Sequence, residues 1–358
     1  MKFLLIGFKL SIGIEQYLIS LKKALEVNGK KVELCGDKNQ MIKLGGNPIS
    51  NSSSTINIIL DTFNPLVWIK FAAYVKSKSP TYSVFISSHP LNFISIMIIR
   101  LISRTKILSV IHDPMPHSGD RFKIIILISQ FLQLRLSHKV IVAGIKLKDE
   151  VSRIYAVNNK NIHVMYIGNN RNIIPKFLEK NKRAHFSLLG RIEDYKGIDV
   201  FLKAAKKVID TNITDVKFIL AGQGNLNKYK PLIDQIDASR LRIRNKLISD
   251  EEFDFIISTS FAVVMPYNDA TQTGTIQIAN SLSTPCIVTN VGSLPELVIK
   301  NETGIIINPK SPEELANAMI ELSSNAEKLN RMEKNSYEFF KNKLNWTSNV
   351  KNFLNELN

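Results

Sequence analysis

Short apolar runs alternate with stretches of helical apolar spacing along the chain, and most runs end on glycine, proline or a small polar cluster. Runs of that length bounded by turn residues read as buried parallel strands, and their alternation with helices reads as an α/β protein. Lys2–Gly7 is the first strand, and Gly13 precedes a helical pattern of Ile14, Tyr17, Leu18, Leu21 and Leu25. Further strands are expected at 31–34, 56–60, 84–87, 107–111, 140–143 and 162–166, with helices between them. Residues 36–55, polar and rich in Gly, Asn and Ser, are expected to form a loop.

The second half repeats the alternation, with strands expected at 186–189, Lys217–Ala221, 262–265, Cys286–Thr289 and Gly304–Ile307. Helices are expected at 198–208, after the N-cap Ser249, after Ser311-Pro312-Glu313-Glu314 and from about 328 to 358. Residues 168–184, with an Asn-Asn pair, a proline and mixed charges, read as a linker. The expected division is a Rossmann-like domain at 1–168, a linker at 169–184, a second such domain at 185–338, and a helix at 339–358 crossing back to the first. The Gly7 to Gly13 spacing is not G-x-G-x-x-G, so a dinucleotide fingerprint is absent.

Bulk properties change the picture mainly through charge. A chain of 358 residues, 44% hydrophobic and 22% charged, has the balance of a globular protein with two ordinary domains. Cys35 and Cys286 lie far apart without metal-ligand spacing, which favours buried thiols and a reducing compartment. The apolar start is too short for a signal peptide, and the runs at 93–99 and 124–134 fall short of the roughly 18 residues a spanning helix requires. The net charge is +16, and residues 1–170 carry 22 Lys and Arg against 9 Asp and Glu, or +13. Such an asymmetry points the first half at an anionic surface; a Lys-, Asn- and Ile-rich composition with no partner is the plain alternative. The basic residues sit among aliphatics without aromatic platforms, which argues against nucleic acid. Residues 93–106 and 121–139, apolar and edged by Arg and Lys, suit either the lipid headgroup plane or the core of the first domain.

Candidate chemistry collects where strands end. The apolar run 262–265 is closed by Pro266, a polar loop follows, and Gly274 opens a helical spacing of Ile276, Ile278, Ala279 and Leu282. The first N–H groups of such a helix carry partial positive charge and can hold a phosphate; an ordinary capped helix would look the same. His89, His112 and His117 fall in two strand-end loops, where ligands of open α/β sheets gather, although each alone would be an ordinary hydrogen-bonded residue.

Several blocks together resemble glycosyltransferase family 4. They are Gly13-Ile14-Glu15, His112-Asp113, GRIEDYKG at 190–197, AGQGN at 221–225, SDEE at 249–252, TPCIVTNVGSLPEL at 284–297 and TGIIIN at 303–308. Members of that family have the GT-B fold, two Rossmann-like domains facing each other across a cleft. The resemblance implies a hexosyltransferase-type enzyme that moves a sugar, with retained configuration, from a nucleoside-diphosphate sugar to a lipid-linked or polysaccharide acceptor. It also implies work in cell-surface glycan biosynthesis, peripheral on the cytoplasmic face of an anionic membrane. Arg191 and Lys196 match the basic pair that grips the donor diphosphate, and His112 the strand-end histidine near donor sugar and acceptor. Gly13 matches the loop glycine that lets the first domain approach the diphosphate, Gly222 lies in the AGQGN block, and Leu247 and Ile248 match the backbone bordering the base. Fixed cations neutralise a departing diphosphate, and no Asp-x-Asp motif is present, so neither a metal nor another cofactor is expected.

One departure stands out. Many members carry two glutamates eight residues apart, and those positions here are Ala270 and Ile278. The local sequence instead resembles a branch with a Gln-Ser/Thr-Gly turn, here Gln272-Thr273-Gly274, together with HDPMPHSG at 112–119. In that branch Asp269 is expected to replace the first glutamate, and Gln272, Thr273, Gly274 and Thr275 to carry more of the diphosphate. A GT-B sugar-nucleotide epimerase and a non-catalytic sugar-nucleotide or membrane-binding module are the alternatives; the missing glutamates favour the second.

Overall fold

The computed structural model describes all residues except 52–53, 116–122, 169–182, 214, 270–272 and 358. The chain forms two compact units, Met1–Ile167 with Trp346–Asn358, and Gly168–Asn345.

The first unit runs β1 (Lys2–Gly7), α1 (Ile12–Val27), β2 (Lys31–Asp37), α2 (Lys38–Leu44), β3 (Asn47–Ser50), α3 (Thr55–Phe63), α4 (Pro65–Lys78) and β4 (Tyr82–Phe85). It continues with α5 (Pro90–Ile102), β5 (Lys106–Ile111), α6 (Lys123–Leu136), β6 (Lys139–Val142), α7 (Ile145–Tyr155) and β7 (Ile162–Val164). The strands form one parallel sheet in the order β3-β2-β1-β4-β5-β6-β7. Strand side chains point alternately to the two faces, so β1 serves two cores at once. Phe3 and Leu5 join Leu18 and Leu21 of α1, whereas Leu4 and Ile6 join Phe71 of α4 and Ile96 of α5.

The second unit runs β8 (His185–Leu189), α8 (Ile198–Thr211), β9 (Lys217–Ala221), α9 (Lys230–Ile233), β10 (Leu241–Arg244), α10 (Asp250–Ser258), β11 (Ser260–Met265) and α11 (Thr275–Ser281). It ends with β12 (Cys286–Thr289), β13 (Gly304–Ile307), α12 (Pro312–Ser324), α13 (Ala326–Phe339) and a π-helical turn at Phe340–Leu344. Its sheet is also parallel, ordered β10-β9-β8-β11-β12-β13. The last helix, α14 (Trp346–Leu357), belongs to the first unit, where Val350, Phe353 and Leu354 join the core beneath α1.

Local readings differ from this structure in three places. The expected loop at 36–55 contains α2 and β3: Asp37 caps α2 through the Asn39 and Gln40 N–H groups, and Pro48 is tolerated because β3 is an edge strand. The expected strand at 56–60 is helix α3, capped by Ser54, because Ile, Asn, Ile, Ile and Leu fit either period and the capping serine decides. Strand β10, Leu-Arg-Ile-Arg, went unread because its arginines break the apolar signal on a sheet edge. Most of the expected linker lies outside the described residues, as do His117, Ala270 and Gln272.

Candidate functional site

Each sheet reverses its strand order once, at β1/β4 in the first unit and at β8/β11 in the second. Ligands of open α/β sheets bind beyond the carboxyl ends of the strands at that reversal. In the second unit the loops there are 190–197, after β8, and 266–274, after β11.

Those loops are locked together through glycines. Gly197 has φ +66°, and a Cβ on it would stand 2.0 Å from the Pro266 carbonyl oxygen, so only glycine lets the two loops touch. A Cβ on Gly190 would lie 2.5 Å from the Lys196 Nζ; the missing side chain is the space the ammonium occupies. Lys196 is 8% exposed, lies over the Tyr267 ring at 5.6 Å, and forms no ion pair among the described residues. Burial lowers its pKa to about 8, with Glu193 opposing and Arg191 adding to the shift. Arg191 is by contrast 78% exposed and held 3.0 Å from Glu193.

Tyr267 is buried, packs edge-on against Tyr195 at 5.7 Å, and shares a hydrogen bond with the Thr273 side chain. The Thr273 hydroxyl in turn accepts from the Thr275 N–H at 3.2 Å. Gly274 is the N-cap of α11 without a side-chain cap, and a Cβ there would meet nothing within 4 Å. The first turn of α11 is therefore open above Thr273, Gly274 and Thr275. Asn268 donates its N–H to the Tyr195 carbonyl at 2.6 Å, while its Oδ1 is buried without a partner. Asp269, next in the chain, is exposed.

Gly222, in the AGQGN block after β9, packs closely: a Cβ on it would stand 1.9 Å from the Gly190 carbonyl oxygen. Backbone packing alone requires glycine there. Beyond β10, Asn245 holds Gly224 by two reciprocal hydrogen bonds of 3.0 Å, Leu247 is exposed and Ile248 half-buried. Ile278, on α11, is half-buried.

In the first unit, Gly13 lies in the first turn of α1, and a Cβ there would meet open space. His112 follows β5 and pairs through Nε2 with the Ile86 carbonyl at 3.0 Å, which makes Nε2 the protonated nitrogen and leaves Nδ1 as an acceptor. Burial pushes its pKa down, so the ring is neutral at pH 7. Its ring meets Tyr17 edge-on at 4.8 Å, and Tyr17 meets Trp346 at 5.0 Å. His89 caps α5 by accepting the Leu91 N–H at Nδ1, its Nε2 is buried without a partner, and burial lowers its pKa to about 4.

The sequence reading missed Tyr195, Tyr267 and Asn268, which form the wall behind Lys196. Tyr195 lay unremarked inside the 190–197 block, and Tyr267 and Asn268 were marked only by following Pro266, since an aromatic at a strand end looks like core. Among the described residues no cluster of His, Cys, Asp or Glu has a metal-holding arrangement.

Residues 169–339 match the family of glycosyl transferases, group 1. The match falls within the second unit, Gly168–Asn345. An uncharacterised glycosyltransferase of Methanocaldococcus jannaschii is 28% identical over 186 residues, 51% of this chain and 49% of that relative. The chain thus spans about half the length of the curated relatives it matches. Among solved structures, the Rickettsia africae glycosyltransferase has a TM-score of 0.72 at 17% identity, covering 99% of this chain and 97% of that one. Anabaena HepE, solved with UDP and also with UDP-glucose, has a TM-score of 0.74 in the UDP complex at 15% identity, covering 100% and 99%. These likenesses establish the fold: two parallel-sheet units of the GT-B glycosyltransferase kind. The matched residues contain the Lys196 site and both of its loops.

Proposed function

We propose that this chain is a retaining family 4 glycosyltransferase that moves a sugar from a nucleoside-diphosphate sugar to a lipid-linked or polysaccharide acceptor in cell-surface glycan biosynthesis. The observation that carries the reading is Lys196, a buried ammonium with a lowered pKa and no carboxylate partner among the described residues. A protein keeps such a group where a bound anion completes the pairing. A diphosphate suits the site: Lys196 lies beneath it, exposed Arg191 swings onto it, and the open turn at Gly274 admits its oxygens.

In the transfer, the bond from the sugar C1 to the diphosphate oxygen breaks, a bond from C1 to the acceptor hydroxyl oxygen forms, and the hydroxyl proton passes to the departing diphosphate oxygen. The departing diphosphate gains negative charge, which Lys196 and Arg191 neutralise, so no metal or other cofactor is required. Asp269 serves the donor sugar in place of the missing glutamate, and neutral His112 offers Nδ1 to a hydroxyl of donor or acceptor. HepE, of the same fold, was solved with UDP, which supports a uridine donor. The basic first unit works against the anionic cytoplasmic face of a membrane.

Ile278 in place of the second glutamate favours one other reading, a non-catalytic sugar-nucleotide-binding module. A thermal-shift panel of nucleotide sugars, followed by analysis of products with and without glycan acceptors, separates them. The transferase reading expects stabilisation by one donor, loss of that response in Lys196→Ala, and transfer. Stabilisation without any turnover favours the module, and no response to any donor overturns both.

A further inference from the structure

We propose that the corner between α3 and α4 inserts into the boundary between headgroups and acyl chains of an anionic phospholipid bilayer. This deepens, and rests on, the reading of the first unit as the membrane-facing half. Residues 93–106 and 121–139, which suit either the headgroup plane or the core by sequence, are not the segments this proposal rests on.

Helix α3 is amphipathic the wrong way round for a helix of a water-facing surface. Ile56, Ile59, Leu60 and Phe63 fall at the i, i+3, i+4, i+7 spacing of one helical face, and all four are exposed, Phe63 at 82%. The opposite side, half-buried, carries Asn57, Asp61 and Thr62 together with Ile58, which packs against the core that contains Phe71 and Ile96. Those polar groups tie the helix down: Asp61 accepts the Asn51 N–H at 2.6 Å, and the Thr62 carbonyl accepts from Trp68 Nε1 at 3.0 Å. The apolar face is thus held outward by hydrogen bonds on the inner side.

The exposed face continues round the corner. Asn64 caps α4 through the Leu66 N–H, Pro65 opens it, and the two helix axes meet at 71°. Leu66, 63% exposed, and Ile69 extend the apolar surface, while Val67, Phe71 and Val75 bury the other side of α4 against the sheet. No single helix among the described residues is long and apolar enough to cross a membrane. Because α4 is packed into the domain core, the pair lies on a bilayer rather than through it. Helix α5 packs against α3, α4 and α6, and Leu101 of α5 and Ile124 and Ile128 of α6 are exposed as well.

Charge selects the occupant. The sequences of these four helices contain Lys70, Lys76, Lys78, Arg100, Lys123 and Arg135, of which Lys78 is paired with Glu33 of β2 at 2.9 Å, and a single acid, Asp61, already bound to the backbone. A second copy of this chain would bring like charges together, whereas anionic headgroups pair with the cations while the bilayer takes up the apolar side chains.

Co-sedimentation with vesicles of phosphatidylcholine plus phosphatidylglycerol, and of phosphatidylcholine alone, tests this. The Phe63→Ser/Leu66→Ser double variant should bind the mixed vesicles roughly tenfold or more weakly, since each buried side chain of this size contributes roughly 1.5–3 kcal/mol. It should keep its melting temperature and its nucleotide-sugar response, because both side chains are exposed and lie outside the second unit. Tryptophan at position 63, as Phe63→Trp, should shift its emission to the blue on mixed vesicles. Unchanged affinity of the double variant with salt-sensitive binding would overturn insertion and leave electrostatic attachment standing. No binding of the unmodified protein to mixed vesicles would overturn both. A stable dimer in solution, broken by the double substitution, would identify a second copy as the occupant and overturn the proposal.

Discussion

Lys196 shows how a residue's environment specifies its ligand. Its side chain fills the room left by Gly190, and burial holds its pKa near 8, below that of a lysine in water. A lysine depressed in this way is charged below about pH 8 and neutral above it, so a bound diphosphate must bring back the proton at higher pH. Nucleoside-diphosphate affinity should therefore fall by up to about tenfold per unit as pH rises above 8. Isothermal titration at pH 7, 8 and 9 reads this directly, and Lys196→Ala should bind weakly with that dependence gone; a flat profile in the unmodified protein would remove the ammonium from the site. Gly222 makes a separate prediction. Ala in its place must displace the Gly190 carbonyl at a φ of +147°, so Gly222→Ala should destabilise the second unit by at least about 2 kcal/mol, measured by urea unfolding. Asp269→Asn tests the remaining assignment: transfer should drop strongly while donor binding, followed by thermal shift, changes little. Of these residues, Arg191 and Lys196 were legible in the sequence because their block is short and fixed in spacing. Tyr267 and Asn268 were not, since nothing in a linear pattern says that the end of β11 closes against the loop after β8.

At the scale of elements, legibility followed burial. Strands such as β1, β11 and β12 are covered on both faces, so they read as unbroken apolar runs and their positions were foreseen. Two of the four edge strands went unread, β3 with its proline and β10 with its arginines, because an edge strand needs only one apolar face; the edge strands β7 and β13 keep an apolar run and were foreseen. Helix α3 failed for a different reason: its apolar face points to solvent, so the assumption that apolar means inward gave no help. Helix α14 carries an element-scale prediction. Trp346 is buried against Tyr17, and Trp346→Ala should cost the first unit about 3–5 kcal/mol, read as a lowered melting temperature. Nucleotide binding by the second unit, measured in the same full-length variant below its melting temperature, should survive. The π-helical turn at Phe340–Leu344 and the extended Asn345 between α13 and α14 are where the chain leaves one unit for the other.

For the molecule as a whole, the charge imbalance is the property that no element displays alone. Residues 1–170 hold +13 of the +16 total, so binding to anionic vesicles should weaken steeply between low and physiological salt, as screening shortens the reach of each charge to roughly 8 Å. Sedimentation across a salt series measures it, and salt-independent binding would mean that apolar insertion acts without the field. What the sequence determined by itself was the α/β alternation, the division into two halves, the charge imbalance and the Arg191 to Lys196 block. Each is written in neighbouring residues or in simple sums over them. The tertiary structure decided which strand ends meet, that Lys196 is buried beside Gly190, that Gly222 serves packing, and that α3 turns its apolar face outward. Those facts depend on parallel pairing between strands far apart in the chain, and on long-range contacts of α3, such as Ile58 in the core and the Asn51 N–H on Asp61, that fix which of its sides faces the domain.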